Sequence, residues 1–382
     1  MAPRPVDPWR TLGVEEEFFL VDAETGNAVA GAPEMARLLA DEPAVTPEFM
    51  RYQIETATPV CAGLGQVRAE LDRLRRLLVG AADRVGCLLV ATGVLPFDTP
   101  PTLSAVTDLP RYRDLVDRFP GLLSSASTCG CHVHVGVPSR EVGVQVLSRI
   151  RSWLPQLLAV GANSPFAMGR DTGWDSWRHP MWSRWPTARP PEIWADAGHY
   201  DAAVRHLVDS GAAVDPRGVY WHARLSPRYP TVEVRIADVG LSVDDAVLLA
   251  GLVRALVATA VEELRAGRPA PAVPTARIAA ALSAAARHGL GGPGIDVFSG
   301  DVTAQRQLFQ DLLDHLRPGL EVTGDADEVE RLAGGVVLGG SGADRQREMR
   351  AASATTGEFV MALAAATAAS RAPELTVDGN DR

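Results

Sequence analysis

The chain has 382 residues, 46% of them hydrophobic and 22% charged, which is the composition of a globular protein that can bury a sizeable core. Its net charge is −10 and it has no basic block, so we expect no nucleic-acid partner. All 37 basic residues are arginine, which excludes a Schiff-base lysine, a lysine general base and the phosphate-binding lysine of a P-loop. Any phosphate chemistry must therefore depend on arginines, metal ions and backbone amides.

Other simple features limit the class of protein further. No run of about 18 apolar residues occurs, so no membrane span is expected. The N-terminal stretch MAPRPVDPWR lacks the apolar core of a signal peptide, and the expected location is the cytoplasm. Four cysteines in so long a chain do not suggest a disulfide scaffold. We expect a single domain over residues 1–370 and a disordered tail over 371–382; a homo-oligomer is left open.

The predicted elements include both strands and helices, with no internal repeat. Alternating or continuous apolar runs predict strands over residues 11–21, 49–58, 86–94, 131–137, 218–225 and 230–238. Apolar residues at helical spacing predict helices over residues 64–85, 140–160 and 242–267, the last of them capped by Ser242. The remainder is expected to be helical, with breaks at the glycine-rich stretches 289–294 and 334–342.

Residues 161–199 differ from the rest of the chain. They contain five tryptophans among many Pro, Arg and Gly residues, with neither a helical nor a strand period: Trp174, Trp177, Trp182, Trp185 and Trp194. A long irregular segment that carries large rings is typical of a lid or a binding loop. The alternative is a loop that its tryptophans simply hold against the core.

The first predicted strand, in GVEEEFFLV, carries unusual charges. Strand alternation places Glu15, Glu17 and Phe19 on one face, and Glu16 on the other face with apolar neighbours. Two carboxylates side by side on one face repel each other, and if buried they need protons, arginines or a metal ion to neutralise them. Taken alone, a solvated strand face explains this pattern better.

Three other predicted strands also carry polar residues where an apolar residue would pack better. Glu55 interrupts the strand in QIETAT. His132 and His134 share one strand face between valines, and Glu233 faces the same way as Arg235 in TVEVRI. Four strands with such interruptions indicate a common polar funnel lined from several strands.

The residue types in this funnel indicate a particular chemistry. Carboxylates with an occasional imidazole form a ligand set for hard cations such as Mg²⁺ or Mn²⁺. Protein-bound Mg²⁺ usually joins a few carboxylates to the phosphates of a substrate. Arg224 and Arg235 are then suited to clamp phosphate or carboxylate oxygens.

The stretch CGCHVH offers two other interpretations. A structural zinc site favours C-x2-C spacings and four ligands, whereas Cys131 and His132 are adjacent and would point to opposite faces of a strand. No second Cys/His cluster exists to complete a zinc site with Cys129 and Cys131. Histidines satisfied in the core, without any ligand, are the other alternative for His132 and His134.

Seven stretches of sequence carry a family resemblance. From about residue 11 to residue 350 the chain contains, in order, LGVEEEFFLVD, QIETATPVC, GCHVHVGV, NSPFAMGRDTGWDSWR, RYPTVEVRIAD, ARHGL and GSGADRQR. This ordered set resembles the type 2 glutamate–cysteine ligase family, also called carboxylate–amine ligases, which is related to glutamine synthetase in fold and chemistry.

The resemblance implies an α+β fold in which a curved, mainly antiparallel sheet forms an active-site funnel and helices pack on its outer face. It also implies the ATP- and Mg²⁺-dependent formation of an amide bond, with Mn²⁺ as an alternative ion. A small-molecule carboxylic acid would be activated as an acyl phosphate and then attacked by an amine. Phosphoryl transfer to a carboxylate is catalysed mainly by positioning and charge neutralisation, which metal ions and arginines supply without lysine.

The resemblance also implies roles for individual residues. The implied metal ligands are Glu15, Glu17, Glu55, His132 and Glu233, and the implied nucleotide-binding residues are His134, Arg228 and Arg235. Arg235, Arg224 and Glu55 are the implied catalytic residues, and Arg170, Arg178 and Arg184 are secondary candidates for substrate contacts. Loss of Glu15 or Glu233 is expected to abolish turnover and, by relieving carboxylate repulsion, to leave the fold nearly intact.

The chain departs from the family pattern outside this residue set. TARIAAALSAA lacks the Asn and Trp expected in a close relative before ARHGL, and PEFMRYQIE lacks the more usual opening of its strand. These departures concern the substrates more than the chemistry. Two other functions remain open: a metal-dependent amide hydrolase that activates water with the same carboxylates and histidines, and a ligand-binding relative without catalysis. The intact E-x-E, H-x-H and E-x-R sets argue against the second of these.

Overall fold

The computed structural model describes residues 8–97 and 103–369. The tail predicted over residues 371–382 lies outside the described residues. The fold is a mixture of helices and antiparallel sheet, in agreement with the α+β class that the sequence predicts. Within the described part of the chain, no helix combines the length and the hydropathy needed to cross a membrane.

An open, antiparallel sheet of seven strands forms the centre of the molecule. The strands of the described chain are β1 Leu12–Val21, β2 Val45–Pro47, β3 Gln53–Ala57, β4 Leu88–Val90, β5 Cys131–Gly136, β6 Phe166–Ala167, β7 Arg170–Asp171, β8 Ala223–Leu225, β9 Thr231–Val234, β10 Pro293–Ile295 and β11 Val302–Ala304. The order in the main sheet is β2-β3-β1-β5-β9-β8, and β4 pairs with the last residues of β1. β6 with β7, and β10 with β11, form two separate hairpins.

Most of the described chain outside the sheet is helical. The helices are α1 Ala32–Leu38, α2 Leu64–Val85, α3 Pro110–Arg118, α4 Arg140–Ile150, α5 Leu154–Val160, α6 Arg178–Trp182, α7 Ala197–Asp209, α8 Val243–Arg265, α9 Thr275–His288, α10 Gln305–Thr323, α11 Ala326–Gly339, α12 Gly342–Ala352 and α13 Thr356–Ala368. The predicted cap Ser242 precedes α8, and both its backbone N–H and its hydroxyl donate to Asp245 Oδ2 at 2.8 Å.

The two faces of the sheet have different environments. On the back face, valines of β1, β5 and β9 pack against α2, α4 and α8, and these valines are Val14, Val133, Val135, Val232 and Val234. All five are at most 1% exposed. Because side chains alternate along a strand, the residues between these valines point to the front face. The apolar packing of the back face therefore fixes which polar residues face forward.

One charged residue lies on the back face. Glu16 points away from Glu15 and Glu17, is fully buried, and accepts hydrogen bonds from Arg75 of α2. The Arg75 guanidinium also donates to the backbone oxygens of Gly240, Leu241 and Thr367. A buried ion pair whose remaining donors are all satisfied is stable in a low-dielectric interior. Glu16 therefore has a structural environment, distinct from that of its neighbours on β1.

Several predicted elements are shorter or divided in the structure. The helix predicted over residues 140–160 is divided into α4 and α5 by a 3₁₀ turn at Arg151–Trp153, just before Pro155. Proline has no backbone N–H and clashes with the preceding turn, so a continuous helix is disfavoured there. The strand predicted over 49–58 is paired only at Gln53–Ala57, and that predicted over 218–225 only at Ala223–Leu225. The strands predicted over 86–94 and 230–238 likewise form only at Leu88–Val90 and Thr231–Val234, and α11 continues to Gly339, through most of the break predicted over 334–342. The other predicted strands and helices form with similar bounds.

Candidate active site

A cavity of about 1230 Å³ opens on the front face of the sheet. Its floor comes from β1, β3, β5, β8 and β9. Its sides include residues 57–60, 109–112 and 226–231. The cavity lining includes all the residues that the sequence places in the site, namely Glu15, Glu17, Glu55, His132, His134, Arg224, Arg228, Glu233 and Arg235.

The carboxylate of Glu15 on β1 lies next to the imidazoles of β5. It lies directly opposite His132 in the β1–β5 pairing, and Glu15 Oε2 is 3.0 Å from His132 Nδ1. The other carboxylate oxygen, Oε1, is 3.3 Å from His134 Nε2. His134 is further held through Nδ1, which is 3.0 Å from Thr231 Oγ1 on β9. One glutamate therefore contacts both histidines of the H-x-H stretch.

Glu17 and Glu55 face each other on the next pair of strands. They are directly opposite in the β1–β3 register, and the Gly130 N–H donates to Glu17 Oε2 at 2.6 Å. Thr46 Oγ1 donates to Glu55 Oε2 at 3.1 Å. Glu48, which follows β2, joins them as a third carboxylate and accepts a hydrogen bond from the Tyr112 hydroxyl at 2.9 Å. No arginine forms an ion pair with these three carboxylates among the described residues.

Glu233 has the opposite environment, because two arginines neutralise it. Arg224 lies directly across the β8–β9 pair and donates to both oxygens of Glu233, at 2.9 Å and 3.2 Å. Arg235 Nη1 donates to Glu233 Oε1 and lies 3.2 Å from His132 Nδ1. Since Glu233 is held by attraction, its loss would leave two buried cations, and the expectation that its removal spares the fold by relieving repulsion is wrong.

The carboxylates near β3 are hard to ionise. Burial, together with the charge of nearby Glu48, raises the pKa of Glu17 to about 7. Burial, followed by the charges of Glu48, Glu15 and Glu17, raises the pKa of Glu55 well above its ordinary value. Burial also raises the pKa of Glu48. A bound cation would therefore lower the cost of ionising these three carboxyl groups.

Glu15, Glu233 and His132, which lie nearer to β9, have pKa values below their ordinary ones. Burial opposes ionisation of Glu15, but its hydrogen bonds with His132 and His134 outweigh burial and lower its pKa. The pKa of Glu233 is likewise lowered, because the charges of Arg224 and Arg235 outweigh burial. Burial and the charge of Arg235 lower the pKa of His132 to about 4, so this imidazole is neutral at pH 7.

The donor set fits divalent cations. Three groups of residues have ligand atoms within 4.8 Å of one another: Glu15, Glu55 and His132; Glu15, His134 and Glu233; and Glu17, Glu48 and Glu55. His132 is 2% exposed, yet its Nε2 accepts and donates no hydrogen bond among the described residues and lies 3.9 Å from Glu17 Oε1. An unpaired imidazole nitrogen beside uncompensated carboxylates is the environment that a bound Mg²⁺ or Mn²⁺ would complete.

The cysteines of the CGCHVH stretch take no part in this cluster. Cys129 and Cys131 are both buried, and Cys129 Sγ accepts a hydrogen bond from Gln53 Nε2 at 3.5 Å. Cys131 points to the back face of β5, away from His132. None of the three candidate metal groups in the described chain contains a cysteine. The zinc interpretation therefore lacks its thiolate ligands.

The three secondary arginines lie outside the cavity lining. Arg178 is buried behind the site, where its guanidinium donates to the backbone oxygens of Arg235 and Ile236. Arg184 Nη1 contacts Ser124, and Arg170 lies in the exposed strand β7. The structure therefore does not bring them into contact with a ligand in this cavity, and Arg178 supports the backbone that carries Arg235.

Part of the tryptophan-rich segment does reach the cavity. Trp182 and Trp185 line it, whereas Trp194 packs in the core against Tyr200 and Trp221. Both interpretations of residues 161–199 therefore apply to different parts of the segment.

Glu48 is the one residue of the three candidate metal groups in the described chain that the sequence analysis did not name, and His134 enters one of these groups although the resemblance implied a nucleotide contact for it. Glu48 follows a three-residue strand and precedes a turn, a position where glutamate is ordinarily solvated. The available signal was its alternation with Thr46, which places both on the side of Glu55 once β2 and β3 are recognised as a hairpin.

Comparison with protein families matches one family over most of the chain. A sequence profile described as Glutamate-cysteine ligase family 2 (GCS2) matches residues 11–365. A putative glutamate–cysteine ligase 2-1 of Saccharopolyspora erythraea is 43% identical over 354 residues, which cover 92% of each chain. A protein of the same description from Nocardia farcinica is 41% identical over 365 residues, or 95% of each chain.

Solved structures with similar folds have much lower sequence identity. A glutamate–cysteine ligase of Francisella tularensis in complex with AMP superposes with a TM-score of 0.70 at 13% identity, covering 94% of this chain and 88% of the other. A bifunctional glutathione synthetase of Pasteurella multocida gives a TM-score of 0.63 at 16% identity, covering 94% of this chain and 52% of the other. These likenesses concern the fold.

Proposed function

Because the chain belongs to glutamate–cysteine ligase family 2, we propose that it is an ATP- and Mg²⁺-dependent ligase that joins a small carboxylic acid to an amine. The observation that carries this proposal is the convergence of five glutamates, two histidines and two arginines on one sheet face at the floor of a single cavity. The five glutamates are Glu15, Glu17, Glu48, Glu55 and Glu233. The AMP found in the Francisella ligase supports a nucleotide as one of the ligands.

The proposed metal ligands divide into two sets along β1. Glu15, His134 and Glu233 would hold a cation on the β9 side, and Glu17, Glu48 and Glu55 would hold one on the β3 side. His132 groups with Glu15 and Glu55, between these two sets. Bound Mg²⁺ would neutralise phosphate oxygens and the developing charge of phosphoryl transfer. The raised pKa values of Glu17, Glu48 and Glu55 support this assignment, because a cation lowers the cost of keeping them ionised.

The nucleotide would occupy the end of the cavity near the β8–β9 turn. Arg228 lies there, exposed, and forms no ion pair with any residue that the structure describes. Tyr229 beside it is 58% exposed, and its ring lies edge-on to His134 at 6.3 Å. A free guanidinium suits phosphate oxygens and an exposed ring suits a purine base. These features support the roles proposed for Arg228 and His134 in ATP binding.

The reaction proposed for this site has two steps. A carboxylate oxygen of the acid attacks the γ-phosphorus of ATP, the bond to ADP breaks, and an acyl phosphate forms. The amine then attacks the acyl carbon, the bond to the phosphate oxygen breaks, phosphate leaves, and the amine loses a proton. Arg235 and Arg224, fixed by Glu233, would stabilise the negative oxygens in both steps, and Glu55 would orient the acid together with the cation.

The curved, funnel-forming sheet and the single domain over residues 1–370 remain predictions. The residues that line the cavity support the funnel-forming sheet, because strands on both sides of β1 contribute side chains to one cavity. A hydrolase would use the same residues around water, but the free Arg228 at the cavity mouth favours a phosphate-bearing substrate over water alone.

A coupled assay of ADP release tests the proposed function. Purified protein, MgATP and a panel of acids and amines that includes glutamate and cysteine are expected to give ADP release that requires both an acid and an amine. The Glu15→Gln and Glu55→Gln variants are expected to lose on the order of 100-fold in kcat. Glu24→Gln is the matched control, because Glu24 is exposed and outside the cavity lining.

Two results of this assay would contradict the proposal. One is the absence of ADP release with every acid–amine pair. The other is metal-dependent hydrolysis of amides without ATP, which would support the hydrolase instead.

A further inference from the structure

One side of the cavity is walled by aromatic rings. We propose that this wall, formed by Tyr112, Trp182 and Tyr220, binds the acceptor amine and selects one with an aromatic or bulky apolar group, of the arylalkylamine class. This inference rests on the proposed ligase function and names the class of one of its two substrates.

The aromatic wall is well separated from the nucleotide end of the cavity. Gly13 of β1 is opposite His134, which contacts Tyr229 of the β8–β9 turn. Phe19 of β1 is opposite Gln53, whose backbone oxygen accepts from the N–H of Glu48, and Glu48 in turn contacts Tyr112 of the wall. The six residue-to-residue steps of extended strand from Gly13 to Phe19 span about 20 Å at 3.3 Å per residue. The metal-ligand candidates lie between these ends, so ATP and the amine can approach the reacting atoms from opposite directions.

The wall has two layers of rings. Tyr112, Trp182 and Tyr220 are half-buried and line the cavity, and Trp182 and Tyr220 lie 4.8 Å apart between ring centroids. More deeply buried rings, which also border the cavity, pack against them: Trp185 packs on Tyr220 at 5.3 Å, and Phe49 packs on Tyr112 at 5.1 Å. Rings that are braced in this way present a rigid apolar surface, which another aromatic group can contact at little entropic cost.

The charges at this end favour an amine that lacks a carboxylate. Asp215 engages both arginines that line the cavity here: it accepts from Arg111 at 2.8 Å and 3.3 Å and from Arg217 at 3.4 Å. Glu48 lies beside Tyr112, so the charged groups that an acceptor meets here are a carboxylate and two arginines that already contact a carboxylate. Asp215 already supplies a counter-charge to these arginines, so the carboxylate of an amino-acid acceptor such as cysteine would compete with Asp215 for them.

The cavity is large enough to hold a bulky acceptor amine. The cavity volume of about 1230 Å³ is above the range of roughly 300–1,000 Å³ in which most small-molecule sites fall. A nucleotide, a small acid and an amine with a ring can therefore share it. Leu109, Pro110 and Leu115 extend the apolar lining around the wall.

Steady-state kinetics on three variants test the inference. With the acid that gives the fastest ADP release, kcat/KM is measured for phenethylamine, methylamine and cysteine. The wild type is expected to prefer phenethylamine by about tenfold or more over both other amines. Trp182→Ala is expected to lower the phenethylamine-to-methylamine ratio at least tenfold, mainly through KM, and Trp182→Phe is expected to retain most of the ratio.

Trp153→Ala is the matched control, because Trp153 is a half-buried ring that packs on His315 and Phe298, outside the cavity lining. It is expected to leave the ratio unchanged, and a thermal melt of each variant checks that it is folded. A preference for cysteine or methylamine, or a ratio that Trp182→Ala does not change, would overturn the inference while the ligase function stands. No ADP release with any pair would overturn the ligase function and the inference together.

Discussion

Glu16 and Glu17 are adjacent on β1, yet their replacement by glutamine is expected to have opposite effects on stability. Glu17 faces the cavity among other carboxylates, and Glu16 faces the core and pairs with Arg75. Glutamine has nearly the same shape as glutamate and carries no charge. The comparison therefore isolates the charge on each face of one strand.

The stability change expected for Glu17→Gln can be calculated from the pKa of Glu17. Burial and the nearby Glu48 raise the pKa of Glu17 from 4.5 to about 7. Below about pH 4.5 both the folded and the unfolded state bind the proton, whereas between pH 4.5 and 7 only the folded state keeps it, so stability falls as pH rises. At pH 8 the full cost is about 3 kcal/mol, at about 1.4 kcal/mol for each pKa unit.

In metal-free protein at pH 8, Glu17→Gln is therefore expected to raise the free energy of unfolding by up to about 3 kcal/mol. With an unfolding entropy of roughly 2.1 cal/mol/K per residue over 382 residues, this corresponds to an increase in Tm of about 4 °C. At pH 4.5 the increase is expected to be much smaller. The Gly130 N–H can still donate to the glutamine oxygen, so the backbone contact is preserved.

Glu16→Gln is expected to destabilise the protein by about 3–5 kcal/mol at both pH values, because it leaves the buried Arg75 without its counter-charge. The assay is thermal denaturation of both variants and the wild type in EDTA, followed by the same melts with excess Mg²⁺. Magnesium is expected to stabilise the wild type more than Glu17→Gln. A fall in Tm for Glu17→Gln at pH 8 in EDTA, or a rise for Glu16→Gln, would refute this reasoning.

Three further predictions concern individual side chains. Arg228→Ala is expected to raise the KM for ATP about tenfold with little change in kcat, whereas Arg205→Ala, an exposed arginine outside the cavity lining, should leave both unchanged in the same assay. His132→Asn is expected to weaken Mn²⁺ binding about tenfold or more by electron paramagnetic resonance, and an unchanged affinity would remove His132 from the metal site. Cys129→Ala and Cys131→Ala are expected to leave Mn²⁺ affinity at the wild-type value, and a loss of binding in either variant would restore a role for the thiols.

Strand alternation was sufficient to predict most of the front face of the sheet. His132, His134 and Glu233 each stand between residues that pack in the apolar core, and Glu15 and Glu17 stand on either side of the buried Glu16. The structure gathers all five around one cavity. The pattern is informative because a one-residue shift would bury the charges and expose the valines. The sequence alone could not separate this arrangement from solvated strands, since the pairing order of the strands is a long-range property.

The partners of these residues were not predictable in the same way. Arg75 meets Glu16 from a helix 59 residues along the chain, and Arg224 faces Glu233 only once β8 and β9 are in register. Glu48 acquires its environment from the hairpin of β2 and β3 and from Tyr112. Arg178 lies in a segment without regular periodicity, where neither its burial nor its contact with the backbone of Arg235 has a local signal.

The measurement that tests the central claim most directly follows the oxygen atoms of the acid. An acid labelled with ¹⁸O in its carboxylate is incubated with the protein, MgATP and an amine, and the released phosphate is analysed by mass spectrometry. Attack of the carboxylate on the γ-phosphorus predicts one ¹⁸O in each phosphate, together with one ADP and one amide for each turnover. Unlabelled phosphate, or release of AMP and pyrophosphate, would contradict an acyl-phosphate ligase built on this carboxylate and arginine cluster.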